Sequence, residues 1–535
     1  MYPKLAVLAA AIGVICTLSL LWADEGDAPT DPPIRFAESA TPHSTDGTAK
    51  RTRPNKHDPV DPIEANGRIF VDWPKPAAVI VFSGEQSGYL EPCGCTGLHN
   101  QKGGLKRRHT LIKQLEEKGW PTLALDNGGL VRRFGKQAEI KYERSLESLA
   151  EIGYAAVGFG AQDLRMDLLP KVINLDPGNN FFVSANVGIL DFESGFTERF
   201  RVVEVGGLKI GVTSVLGKGE IDKLNNVTDV VFEEPYQAIP KVLPQLLAAE
   251  CDQLVLLAHA EQTEAIDLAK RFHEFDWVVS AKGPEEPPNA PSPILDDTGQ
   301  PVAQLIEVGT KGKYVVAVGL YPNEPKKFLY QRVPLDHRFE DSPQMQRIFT
   351  AYQQELETLG LEGLGIRPID HSSGKEFAGT AVCADCHTEA HSVHDATPHA
   401  HATQTLVEID PPRHYDPECL SCHATGWHPQ KYFPFTTGYL SLEDTPHMRT
   451  NGCENCHGPG KRHADAELGN INVSDEEAEA LKAALRLKLV DNEGNQTGQE
   501  YGKVVDNCMQ CHDLDNSPDF DFQLYWPEVE HYGME

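Results

Sequence analysis

The pentapeptide Cys-x-x-Cys-His occurs four times in the last third of the chain, at Cys383–His387, Cys419–His423, Cys453–His457 and Cys508–His512. Two thiols at this spacing add to the vinyl groups of one haem, and the adjacent histidine reaches the iron from one face. Zinc is the rival use of paired cysteines, but zinc takes four ligands per site and places no demand on the residue after the second cysteine. Here that residue is histidine in every copy. The motifs therefore predict four c-type haems, attached through Cys383, Cys386, Cys419, Cys422, Cys453, Cys456, Cys508 and Cys511, with His387, His423, His457 and His512 as proximal ligands. Haems packed into so short a stretch would touch or nearly touch and form a path for electrons. They, rather than side chains, would be the core of this region.

The other cysteines are few: Cys16, Cys93, Cys95 and Cys251. Histidine is skewed, with 14 of 21 between residues 371 and 535. A low-spin haem takes a second axial ligand, commonly another histidine. His391, His394, His399, His401, His414, His428, His447, His463 and His531 are the candidates, and spacing alone does not assign them. The formal net charge of −31 argues against nucleic acid or an anionic membrane surface as partner. It suits a basic redox partner protein, and it equally serves plain solubility.

The N-terminus reads as an export signal. Lys4 precedes Leu5–Trp22, a run without charge, and Ala23 meets Asp24-Glu25. Leu21 is not the small residue expected three positions before a cut, so residues 1–23 are either a signal peptide or a single N-terminal membrane anchor. Both readings place the body of the protein in the periplasm or otherwise outside the cytoplasm. Residues 24–66, rich in Pro, Asp, Thr and Lys, predict a disordered linker. Between 67 and 337, short β-branched runs such as Ala78–Phe82, Phe181–Ser184 and Lys209–Val215 alternate with helical stretches such as Gln137–Glu151. Gly206-Gly207 between two such runs signals a hairpin. Residues 338–374 read as a helical connector: Ser342 caps it, Pro343 opens it and Gly360 stops it. A capping box from Ser474 to Glu477 predicts a second helix over Ser474–Val490.

Residues 375–535 resemble the cytochrome c-554 family, tetrahaem proteins that carry electrons from hydroxylamine oxidation. The resemblance rests on Thr397-Pro398-His399-Ala400-His401-Ala402, on Cys419–Gly426, on Cys453–Gly460 followed by His463, and on Tyr525-Trp526 with His531. It implies a mainly α, haem-cored domain. By position it makes His463 the distal ligand of the first haem, His531 of the third and His399 of the fourth, and leaves the haem on His423 with an open site. His428 close to that motif is a further candidate for a sixth ligand there, and His401 for the place of His399.

Residues 67–337 resemble metallophosphoesterases of the secreted 5′-nucleotidase kind, which implies a calcineurin-like β-sandwich flanked by helices. That chemistry uses two metals held by Asp, His and Asn to activate a water. Position by position the ligands are missing. Asn-Asp-x-His-Gly is Gly84-Glu85-Gln86-Ser87-Gly88, Asp-x-Gly-Asp is Asp126-Asn127-Gly128-Gly129, and Gly-Asn-His-Asp is Gly160-Ala161-Gln162-Asp163. The final Gly-His-x-His is Ser280-Ala281-Lys282-Gly283. Glu85, Asn127 and His259 remain, too few for a two-metal centre, so the fold is expected without the hydrolase. Cys93 and Cys95, near the first strand end, form a thiol or disulfide pair or a soft-metal site. The chain thus reads as an exported tetrahaem electron carrier with a non-catalytic front domain for docking or gating. The alternatives are a redox enzyme acting on a small nitrogen or sulfur compound at an open haem and, behind it, a surviving metal-dependent phosphoesterase.

Overall fold

Buried strands need apolar side chains on both faces, and the front half of the chain supplies them in short runs. The computed structural model describes residues 60–92, 100–173, 180–225, 227–487, 498–518 and 520–531. The chain divides into Met1–Arg53 and Pro54–Glu535, and every described residue lies in the second unit. The export segment, most of the linker, and Cys93 and Cys95 lie outside the described residues. Among the described residues no helix is long and apolar enough to cross a membrane.

The strands in chain order are β1 (Ala78–Ser83), β2 (Thr122–Asp126), β3 (Tyr154–Val157), β4 (Val187–Ile189), β5 (Arg201–Val205), β6 (Leu208–Leu216), β7 (Val230–Phe232), β8 (Gln253–Glu261), β9 (Trp277–Lys282), β10 (Ser292–Leu295), β11 (Pro301–Glu307), β12 (Tyr314–Leu320) and β13 (Phe328–Pro334). One sheet has the order β13-β12-β1-β2-β3 and the other β10-β11-β9-β8-β6-β5; β4 and β7 pair separately. β1, β2 and β3 run parallel, as do β6, β8, β9 and β11, while the remaining pairings are antiparallel.

The sheets pack face to face through Ile80, Phe82, Leu125 and Val316 on one side and Val212, Leu257, Val279 and Ile306 on the other. Helices Leu105–Glu117, Lys136–Ile152 and Pro343–Gly363 cover the first sheet with Leu111, Tyr142, Leu149 and Tyr352. Helices Pro235–Ala248 and Gln262–Arg271 cover the second with Ile239, Val242, Leu246 and Leu268. This is a mixed α/β sandwich of two sheets flanked by helices. Parallel strands in each sheet send their C-terminal ends the same way, which gathers residues 84–85, 127–129, 158–163, 259–261 and 282 at one edge.

Particular elements depart from the sequence expectations. Pro62–Asn66, placed in the linker by composition, forms a helix because Asp61 accepts from the amides of Ile63 and Glu64 at its start. Phe181–Ser184 makes single bridges, Val157 to Phe182 and Val183 to Glu198, rather than a strand. The helix capped by Ser342 stops at Gly360 as expected, with φ 57° and ψ −175° outside the helical region, before a short further turn to Gly363. It is more than a connector, since Met345, Phe349, Tyr352 and Leu356 complete the layer over the first sheet. The Gly206-Gly207 turn joins β5 and β6 as expected. Gly206 sits at φ 57°, and a Cβ there would lie 1.8 Å from the Ala77 carbonyl oxygen, so neither conformation nor space admits another residue.

After residue 374 the described chain is built of short helices, among them Thr380–Ala384, Thr388–Asp395, Ala402–Glu408, Pro417–His423, Cys453–His457, Lys461–Glu467 and Gly498–Met509. The capped helix runs Asp475–Leu485, with Arg486 already extended; residues 488–490 lie outside the described part. The buried apolar cluster of this region is small: Phe377, Leu406, Leu420, Ala424, Trp427, Tyr439 and Met448. So little apolar burial does not by itself offset the entropy of ordering such a stretch.

Candidate functional site

Each Cys-x-x-Cys-His motif forms a helical turn that presents both thiols and the imidazole together. The amide of His387 bonds the Cys383 carbonyl and that of His512 bonds the Cys508 carbonyl, each at 2.9 Å. Asp416 caps the second motif's helix through the Glu418 amide, with Pro417 at the first helical position. The thiol of Cys383 adjoins that of Cys453, Cys422 adjoins Cys511, and Cys456 lies near Cys508. The motifs are therefore neighbours in the order first, third, fourth, second.

Three motif histidines face an imidazole from elsewhere in the chain. His387 and His463 have ring centroids 6.4 Å apart, His457 and His531 5.8 Å, and His399 and His512 6.0 Å. An iron between two imidazole nitrogens at ~2 Å each sets the centroids ~6 Å apart. The tautomers agree. The Nδ1 of His423 lies 2.7 Å from the Ala402 carbonyl, that of His457 2.7 Å from Leu485 and that of His531 2.8 Å from Val529. A carbonyl only accepts, so Nδ1 carries the proton and Nε2 keeps its lone pair for a metal. The residues present fit c-type haem.

His401, His428, His394 and His414 are placed otherwise. His401 is exposed. The ring of His428 packs on Phe433 at 5.3 Å, within a cluster that includes Phe435. His394 bonds the Asn451 carbonyl through Nε2 at 2.9 Å, and the His414 ring lies tilted beside that of Tyr415 with centroids 3.9 Å apart. Phe520 stacks on the His512 ring at 4.4 Å.

Sequence reasoning missed several charged residues here. Glu454, inside the third motif, is buried and accepts from the amides of Ala378, Gly379 and Gly460, tying the approach to the first motif onto the third. Burial pushes its carboxyl up against the pull of those amides. Around the second and fourth motifs, carboxylates reach the front domain. Glu418 bonds Arg133 at 2.8 Å and Lys141 at 2.7 Å. Asp416 accepts from Gln137, Tyr352 and Gln353. Asp515 accepts from Tyr89 and pairs with Lys311 and Lys313. In the opposite sense Glu91, two residues before Cys93, holds Lys106 and Arg413. Burial pushes Glu418 and Asp515 up, but the cations facing each prevail and hold both below the usual carboxylate range. An acidic residue directly before a Cys-x-x-Cys motif (Glu418 before Cys419) was the available signal, but a sequence does not name its partner.

The second cluster lies at the strand ends. Glu85, Asn127 and His259 do come together: His259 Nδ1 donates to the Asn127 carbonyl at 2.9 Å, and its Nε2 stands 3.3 Å from Glu85 Oε1. Lys282 Nζ lies 3.0 Å from the same oxygen. Asp126 accepts from Ser83 at 2.5 Å and faces Arg108 at 3.7 Å, both partners fully buried. Asp163 accepts from the amides of Gly129, Val131 and Gly160, and burial pushes its carboxyl to about 7. Among the described residues no group of three or more His, Cys, Asp and Glu could hold a metal ion.

Motifs, facing rings and a sparse apolar core define the C-terminal region as a c-type cytochrome domain, joined to an α/β sandwich. Residues 382–458 match the family model of cytochrome c554 and c-prime. Over 99 residues the chain is 33% identical to cytochrome c-554 of Nitrosomonas europaea, an alignment covering 16% of this chain and 39% of that protein. Among solved structures, a 5′-nucleotidase precursor of Thermus thermophilus aligns with TM-score 0.44 at 22% identity, covering 53% of this chain and 59% of that one. The sulfate thiohydrolase SoxB of the same species gives 0.43 at 13%, covering 53% and 62%. The calcineurin-like phosphoesterase YfkN of Bacillus subtilis gives 0.40 at 16%, covering 52% and 97%.

Proposed function

We propose that this protein is an exported tetrahaem c-type cytochrome that passes electrons between partners, and that its front domain is non-catalytic and serves docking or gating. The observation that carries the reading is the set of three facing pairs, His387 with His463, His457 with His531 and His399 with His512. Bound at these motifs, haem supplies one-electron oxidation and reduction. The chain's own residues fix the geometry. The thiols anchor, the Nδ1–H bonds to carbonyls orient the rings, and Glu454 holds the first motif to the third. The neighbour order first, third, fourth, second supports a relay through the region. The contacts of Asp416, Glu418 and Asp515 with the front domain support a role for that domain beside the second and fourth motifs. The acidity of the chain favours a basic protein partner.

A second reading, catalysis on a small nitrogen or sulfur compound at the haem on His423, has one observation in favour: His428, its nearest sequence candidate for a sixth ligand, is turned into the Phe433–Phe435 cluster. The purified protein should bind four haems by mass and titrate in four one-electron steps. Fewer than four would sink the proposal. A high-spin signal that shifts on adding nitrite, nitric oxide or hydroxylamine would favour the second reading over pure transfer.

A further inference from the structure

The strand ends of the front domain hold a cation of the protein's own where the resemblance implies metals. Glu85 follows β1 in a left-handed conformation at φ 49°, and its side chain is only 14% exposed. A carboxylate so placed needs a positive partner. Lys282, the last residue of β9, provides it at 3.0 Å, from the very turn whose histidines are missing. His259 adds a contact to the same oxygen at 3.3 Å.

The space is taken as well as the charge. Gly129 stands at the position of the bridging aspartate. A Cβ there would lie 2.8 Å from Glu85 Oε1 and 3.1 Å from His259 Cε1, so the Glu85 carboxylate occupies the room that an aspartate would need. A Cβ at Gly160 would lie 3.0 Å from the same His259 carbon. The other carboxylates are committed: Asp126 to Ser83 and Arg108, Asp163 to three backbone amides, and Glu220 to Lys223 at 2.7 Å. Asn127 turns its amide nitrogen to the carbonyls of Ala258 and Val279, which leaves its buried Oδ1 without a partner beside the cluster. The donor set does not fit a two-metal centre.

We propose that the Lys282 ammonium replaces the metals as the resident cation of this site, so that the domain keeps its strand ends together without a divalent ion. The inference deepens the non-catalytic reading of the front domain and rests on it. The test uses full-length, haem-loaded protein. Non-haem metal is counted after dialysis against manganese, and melting is followed with manganese or with EDTA, for wild type, Lys282→Ala, Lys282→Arg and Glu85→Gln. The expected result is a wild-type midpoint indifferent to both additions and no more manganese than Glu85→Gln retains. Lys282→Ala should melt ~3–6 °C lower, Lys282→Arg should stay near wild type, and manganese should raise the alanine variant alone. Wild type that holds manganese released by Glu85→Gln overturns the inference, as does Lys282→Ala melting with wild type. If the alanine variant does not fold, the wild-type metal count and Lys282→Arg still decide. Hydrolysis of a phosphate ester by wild type would overturn the non-catalytic reading too, whereas metal retention without hydrolysis overturns this inference alone.

Discussion

Replacing His463 with alanine separates a ligand from a bystander. Its half-buried ring faces His387 at 6.4 Å, and Glu467 stands 4.0 Å from its Nδ1. If iron joins the two rings, it closes a loop of ~75 residues, for which the chain-entropy relation sets a ceiling of ~4.5 kcal/mol. The real cost is smaller, because the same loop is already pinched where Cys383 meets Cys453 and where Glu454 bonds Ala378 and Gly379. About 1–2 kcal/mol should remain, a fall in Tm of ~3–6 °C for a unit of this size. The sharper readout is spin state. Electron paramagnetic resonance of the oxidised protein should show one haem passing from low to high spin, and added imidazole should restore it. An unchanged low-spin count together with an unchanged Tm would refute the pairing and the reasoning from ring separation behind it.

His399 and His401 make a matched pair: His399→Ala should convert the fourth haem to high spin, while His401→Ala should leave the spectrum alone, and the reverse result would reassign the ligand. Glu418→Gln and Lys141→Met should couple by ~1 kcal/mol in a double-mutant cycle, less than a dry ion pair because Glu418 is about a third exposed; additivity within ~0.3 kcal/mol would show that the contact contributes nothing. The folded-state depression of Glu418 and Asp515 fixes the sign of a pH effect. Their contribution is complete above the unfolded carboxylate value of ~4 and is lost as pH falls through the lower folded values. Melting midpoints of wild type should therefore drop more steeply below pH ~4 than those of a Glu418→Gln/Asp515→Asn double variant, and parallel curves would contradict the assignment.

What a sequence displays is set by the range of the interaction. The hairpin at Gly206-Gly207, the Ser342 cap and the apolar strands are local, and they stand where the residues put them. Gly360 is local in the same way: its φ of 57° takes the chain out of the helix capped by Ser342, and the turn that follows is a separate one. The Cys-x-x-Cys-His turns are equally local, but their distal partners are not: His463 and His387 meet through folding, and only family resemblance named that pair in advance. Charged groups were the least legible. Glu85 and His259 were visible as surviving ligand types, while Lys282 stood in a stretch that had lost its ligands and gained a meaning only when the fold set it 3.0 Å from Glu85. The same holds for Glu418, whose sequence position marks it as adjacent to a haem motif and whose meaning comes from Arg133 and Lys141, nearly three hundred residues earlier. Both cases have one cause: a charge near a buried site is defined by what neutralises it, and that partner is chosen by the packing of sheets and helices, which a local reading does not contain.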